Sequence, residues 1–180
     1  MNLLLKSGTL YRTDNKAAGP ALANIHNRLF GLEKQIIAGE KQFLTQIQTK
    51  TLTGERIPGA GSRQYLLKNS DGEILLSGVP RYADENDPSI VGQGQFIYRM
   101  PRVSSVELMF QDRSGLLRMI NSQNYRLTDP SGKVILTLLH RGIFSGGWNL
   151  DAAEEFHPEF LCGIFIFCRY MEQENELLIV

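Results

Sequence analysis

Cysteine is scarce: of 180 residues only two are cysteine, Cys162 and Cys168, both inside one apolar run. On a helix the two would face different sides, and in a strand they would stand too far apart to bridge. A disulfide framework is therefore excluded, and both read as buried thiols. Long hydrophobic runs are missing as well. The longest, Phe160 to Cys168, falls well short of the ~20 residues a membrane-crossing helix needs. At the N-terminus only Leu3-Leu4-Leu5 precede Lys6, too little for a secretory core, and a reducing cytoplasm is the expected home. An excess of one charge is also absent, since 19 basic residues face 19 acidic ones. No global field draws the chain to nucleic acid, and any contact with anionic lipid has to be local. Histidine is thin: His26, His140 and His157 stand singly, with none of the close spacings of a zinc site or catalytic motif.

What remains is an ordinary globular composition, 42% hydrophobic and 21% charged, enough for one core without staples. The whole chain, 1–180, reads as one domain. Most of it alternates apolar and polar residues over short stretches bounded by turn residues, the pattern of half-buried strands. Gly8 to Tyr11, Leu22 to Phe30, Glu33 to Ile37 and Gln42 to Thr49 form a first group. Lys50 to Ser62, with Gly54, Pro58, Gly59 and Gly61, reads as a loop or a division between two halves. Further on come the loops Asp84 to Pro88 and Gly92 to Gly94 and a strand Gln95 to Met100 that breaks at Pro101. Some ten to twelve strands follow from this reading, a number that suits a barrel or a sandwich.

An internal repeat organises the second half. Tyr65-Leu66-Leu67-Lys68-Asn69-Ser70-Asp71-Gly72-Glu73-Ile74-Leu75-Leu76 aligns without a gap with Tyr125-Arg126-Leu127-Thr128-Asp129-Pro130-Ser131-Gly132-Lys133-Val134-Ile135-Leu136. Leu108 to Leu117 is a weaker copy that keeps the spacing from Asp112 to Gly115. Each predicts a hairpin. The Asx side chain bonds the backbone ahead of it, and the glycine supplies a positive φ at no steric cost. Their function is turn formation, not ligand binding.

The C-terminal segment differs in kind. Asp151, Glu154 and Glu155 precede Pro158, the order in which acids and a first-position proline open a helix. Phe160 to Met171 then has hardly a polar residue, so a helix there is buried or membrane-embedded, burial being the expectation, and periodicity alone leaves a buried strand open. A polar continuation from Arg169 to Glu176 extends it, and Leu177 to Val180 ends the chain as an apolar tail.

Many short strands, the repeated Tyr-x-Leu-x-Asx-x-x-Gly-x-apolar hairpins at Tyr65 to Leu76 and Tyr125 to Leu136, the copy at Leu108 to Leu117, and the stretch Trp148 to Met171 together resemble the tubby C-terminal-like superfamily. That superfamily includes the LURP-one-related proteins and the phospholipid scramblases, and this chain is similar to its short bacterial members. The resemblance implies a mainly β fold: a closed antiparallel barrel of about twelve strands, spanning roughly 3–150, with a buried hydrophobic helix at about 157–174 along its axis. Tubby-like domains of animals bind phosphoinositide head groups, and scramblases act on membranes. No head-group pair of those relatives falls on identifiable positions here, and the scramblase leader and cysteine cluster are missing, so no functional residue carries over.

Each candidate chemistry has a plainer reading. Asp84, Asn86 and Pro88 begin like a calcium loop but lack the next ligand and the turning glycine. Gly142 to Gly147 lacks the Gly-x-Ser-x-Gly spacing of a nucleophile elbow and reads as a turn before Trp148. Gly59-Ala60-Gly61 and Gly92-Gln93-Gly94 lack the third glycine of a nucleotide loop. A Cys162 thiol in so apolar a run has little thiolate, with or without His157 nearby. Arg99 and Arg102 are the candidate phosphate or head-group ligands, with Lys50, Arg56 and Arg63 placed to converge on the same barrel rim. The leading expectation is a non-catalytic cytoplasmic binding or scaffold domain without a cofactor, its partner unknown, with loops or the Leu177 to Val180 tail as the elements that would recognise a protein. The alternative is a peripheral membrane module that binds anionic head groups, and an enzyme with a barrel-mouth site ranks last.

Overall fold

The structure, a computed structural model, describes residues 1–14, 17–27, 32–51, 61–82, 103–110, 113–121, 123–142, 145–153 and 156–176. Twelve strands alternate inward and outward side chains: β1 (Asn2–Lys6), β2 (Thr9–Asp14), β3 (Ala17–Asn27), β4 (Lys34–Ala38), β5 (Lys41–Thr51), β6 (Gly61–Asn69), β7 (Ile74–Tyr82), β8 (Val103–Phe110), β9 (Arg113–Asn121), β10 (Asn124–Thr128), β11 (Val134–His140) and β12 (Trp148–Ala152). Every strand pairs antiparallel with its sequence neighbour, and β1 pairs with β12, so the sheet closes into an up-and-down barrel. Closure leaves no free edge.

One helix, α1 (Pro158–Glu176), follows β12. Its 19 residues give it a length of about 28 Å, and its side chains are buried on nearly every side: Phe160, Leu161, Cys162, Ile164, Ile166, Phe167, Cys168, Tyr170 and Met171. They meet inward residues from all around the wall, Leu67 and Leu76 among them. Phe167 sets its ring 5.5 Å from Tyr65, and Phe165 sets its own 4.8 Å from Trp148. A ring of this many strands leaves a lumen, and α1 fills it. Burying each large apolar side chain contributes about 1.5–3 kcal/mol, so helix and wall stabilise each other.

The repeat builds two matching turns. Asn69 Oδ1 accepts the N–H groups of Asp71 (3.1 Å) and Glu73 (2.9 Å), and Asp129 Oδ1 accepts those of Ser131 (2.9 Å) and Lys133 (3.0 Å). Gly72 and Gly132 have φ of 84° and 85°. The third copy departs from this pattern: β8 and β9 form a tight hairpin in which Phe110 pairs with Arg113. Gly115 is therefore not a turn residue but lies within β9, where a Cβ would come within 2.9 Å of Leu127 Cδ1 and of the Thr128 carbonyl.

Other expectations change in part. Of the segment read as a loop or division at Lys50 to Ser62, both ends belong to the β5–β6 ladder, which pairs as far as Thr51 with Gly61, and 52–60 lie outside the described residues. β3 begins earlier than Leu22 and ends at Asn27. Asp151 is a residue of β12, paired with Asn2 and Thr137, so it does not answer the helix dipole. α1 opens at Pro158 and runs to Glu176, the end of the expected polar continuation. The proposed strand at Gln95 to Met100 and the loops at Asp84 to Pro88 and Gly92 to Gly94 lie outside the described residues. Because antiparallel strands alternate direction, the β4–β5, β6–β7, β8–β9 and β10–β11 turns share one end of the barrel with the start of α1. The C-terminal turn of α1 lies at the other end, beside Arg63, Tyr82 and Val103.

Candidate functional site

Two carboxylates, Glu172 and Glu174, are buried in the last turns of α1. The negative pole of a helix disfavours them there, and the final turn has no basic residue. Donors from distant strands compensate. Glu174 accepts the Tyr65 hydroxyl at 2.6 Å and the Tyr82 hydroxyl at 2.7 Å, and Arg63 Nη1 stands 3.3 Å away. Glu172 accepts the Tyr125 hydroxyl and pairs with Arg169. Asn175 bonds both backbone groups of Val103, at 2.8 and 2.9 Å. Tyr170 donates to the Leu32 carbonyl at 2.8 Å and lies 2.9 Å from the Thr45 hydroxyl. Burial, reinforced by the Glu174 charge, pushes the Tyr65 hydroxyl far above its ordinary range, and burial first of all pushes Tyr170 up to about 12. These hydroxyls stay protonated and act as fixed donors. The network pins the helix, and its groups are occupied by one another.

The sequence candidates scatter. Arg63 does not reach for a ligand at the rim but turns onto Glu174. Lys50 lies in β5, while Arg56, Arg99 and Arg102 lie outside the described residues. His140 sits with its ring 5.0 Å from Trp148 and its Nδ1 accepting the Gly142 N–H at 3.2 Å. His157 Nδ1 is 4.0 Å from Glu159. Among the described residues no three metal-ligating side chains gather. Burial pushes Cys162 up to about 12 and Cys168 well above its ordinary value, so both are inert thiols. Gly142, Gly146 and Gly147 all have positive φ, which makes the segment a turn. At the end where α1 starts, an open cleft of about 910 Å³ is lined by Glu40, Lys41, Asp71, Glu73, His157 and Glu159.

A different feature stands on the outer wall. Arg118 of β9 and Arg126 of β10 are directly opposed in the ladder, both exposed, with Cβ atoms about 5 Å apart by strand geometry. Neither makes an ion pair among the described residues. On the other side Arg118 is opposed by Ser105, which in turn is opposed by Arg81, and Arg81 is neutralised by Glu107. A groove of about 690 Å³ runs from the arginine pair past Leu116, Val79 and Met109, with Glu107 and Asp129 also in its lining; Glu107 is taken by Arg81 and Asp129 by the Ser131 and Lys133 N–H groups. Like charges placed directly opposite each other destabilise a sheet, so the pair is a local cost to the fold. Sequence reasoning missed it because the arginines come together only through register. The available signal was alternation: Arg118 follows inward Leu117, and Arg126 separates inward Tyr125 from Leu127.

Compared with protein-family models, with curated proteins and with solved structures, the chain matches none. No helix is long and apolar enough to cross a membrane among the described residues.

Proposed function

We propose that this chain is a non-catalytic binding domain of the tubby-like kind, a rigid barrel that engages a protein partner through its outer surface in the reducing cytoplasm. The observation that carries the reading is the filled lumen. α1 occupies the space where a β-barrel otherwise holds a small ligand, and Glu172, Glu174, Tyr65 and Tyr125 are engaged within the molecule. Twelve strands closed around a C-terminal helix support the kinship.

The test is a split between inside and outside, read by partner capture on the full chain in extracts of its own cells. A partner retained by the wild type and by Glu172→Gln but lost by Arg118→Gln/Arg126→Gln fits the proposal. Capture that follows the interior substitution instead would overturn it.

A second reading, a peripheral membrane module, is favoured by the opposed arginines. Its magnitude is small, because each arginine near an anionic leaflet contributes about 1 kcal/mol, and two give too little for stable attachment. Flotation with phosphatidylcholine vesicles, with and without phosphoinositide, at low and moderate salt separates the two readings. Saturable, salt-sensitive binding that Arg118→Gln/Arg126→Gln abolishes would replace the first with the second.

A further inference from the structure

Because the described strands close into a barrel without an open edge, a partner segment cannot add itself as a further strand, and on the convex face recognition proceeds through side chains. Along β9 the outward positions read Leu116, Arg118, Ile120, and Ile120 is 50% exposed. Met109, 56% exposed, lies beside the turn that joins β8 and β9, and Val79, 40% exposed, stands level with Leu116 across Glu107. Leu116, Arg118 and Ile120 recur every second residue along β9, about 7 Å apart, which is also the repeat of alternate side chains in an extended peptide. Two opposed guanidiniums without an acidic partner among the described residues present several donors to one anionic group, in the fork geometry that suits a carboxylate.

We propose that the wall of β8, β9 and β10 docks an extended acidic segment of a partner protein. Its carboxylate is held between Arg118 and Arg126, and apolar residues two positions to either side lie on Ile120 and on the Leu116–Val79–Met109 surface. Charge complementarity selects this occupant: the cationic spot is small and flanked along β9 by Leu116 and Ile120, the next cation, Arg81, is paired with Glu107, and the Asp129 carboxylate is held in its own turn by Ser131 and Lys133. A flat anionic surface requires a broader field of cations. This inference rests on the chain being a binding domain and adds the chemistry of the partner.

The experiment titrates the full chain into a fluorescently labelled peptide, Leu-Ser-Leu-Ser-Glu-Ser-Leu, read by anisotropy. Expected is saturable binding, at least tenfold weaker for the same peptide with Gln in place of Glu, and weakened by added salt. Arg118→Gln/Arg126→Gln should lose at least tenfold while melting at or above the wild-type temperature, since a like-charge contact has been removed. Met109→Ser should weaken binding without changing its salt dependence. Equal affinity for the Glu and Gln peptides, or an affinity indifferent to the arginine substitutions, would overturn the inference. Binding of phosphatidylserine vesicles in preference to the peptide, lost in the same double variant, would overturn it in favour of a membrane surface. Failure of the peptide alone, with partner capture still lost in Arg118→Gln/Arg126→Gln, would remove this inference and leave the binding-domain reading standing.

Discussion

Replacing Gly163 by leucine probes the contact between helix and wall at its tightest point. A Cβ on Gly163 would stand 3.0 Å from Leu67 Cδ2, 3.3 Å from Leu76 Cδ2 and 3.7 Å from Leu67 Cβ. Leu67 and Leu76 are both fully buried, so neither can swing into solvent. Gly163→Ala gains about 1 kcal/mol of helix propensity, offset by a small displacement of the Leu67 methyl, and its stability should change little. Gly163→Leu adds three further carbons in a close-packed space and should cost about 1–3 kcal/mol. For a domain of this size that lowers Tm by roughly 2–12 °C. The cause is tested by a cycle with Leu67→Ala, which alone leaves a cavity and costs about 2–5 kcal/mol. Combined with Gly163→Leu, the cavity receives the new side chain, and the double variant should be more stable than the sum of the singles by about 0.5–3 kcal/mol. Urea and thermal unfolding followed by circular dichroism supply all four corners. Strict additivity, or an unchanged Tm for Gly163→Leu, would refute the packing argument.

Three further outcomes follow from the geometry. Glu174→Leu strands the Tyr65 and Tyr82 hydroxyls and the Arg63 charge and should cost about 3–5 kcal/mol, while Glu174→Gln keeps an acceptor and should cost about half that in urea unfolding. Gly72→Ala and Gly132→Ala meet no neighbour within 4 Å but hold φ of 84° and 85°; each should lose about 1–2 kcal/mol through backbone strain alone, and no change in either would contradict the turn assignment. Burial pushes Cys162 from 9.0 to about 12 and Tyr170 from 10.0 to about 12. A folded-state value raised in this way gives stability that is complete below the unfolded value and lost as pH climbs toward the folded one, so unfolding free energy should fall between about pH 9 and 12, and a thiol reagent at pH 8 should label neither cysteine until the chain is denatured.

What the sequence disclosed followed how local each interaction is. Asn69 with Gly72, and Asp129 with Gly132, were readable because their hydrogen bonds close within five residues. Pro158 was readable because proline at the first helical position acts through its own φ, and the apolar run after it, expected to be buried, is seen to be so in α1. The spacing of Asp112 and Gly115 misled because it matches a turn motif by coincidence: the hairpin closes before Gly115, which instead accommodates Leu127. Burial of Glu172 and Glu174 was hidden for another reason. Carboxylates at a helix end read as solvated until Tyr65, Tyr82 and Tyr125, on strands far away in the chain, are seen to supply the donors. Arg118 and Arg126 belong to the same class, since only the β9–β10 register sets them face to face. Arg63 looked available at the rim because its acid partner is more than a hundred positions away.

Whether the lumen stays filled, leaving binding to the outside, is decided by hydrogen exchange of the full chain followed by mass spectrometry. Peptides covering Phe160 to Asn175 should exchange as slowly as those covering Tyr65 to Lys68, both only through global unfolding. If the helix exchanged much faster than the surrounding strands, the barrel would be opening to release it, its interior would be available to a ligand, and the outside-only reading would be contradicted.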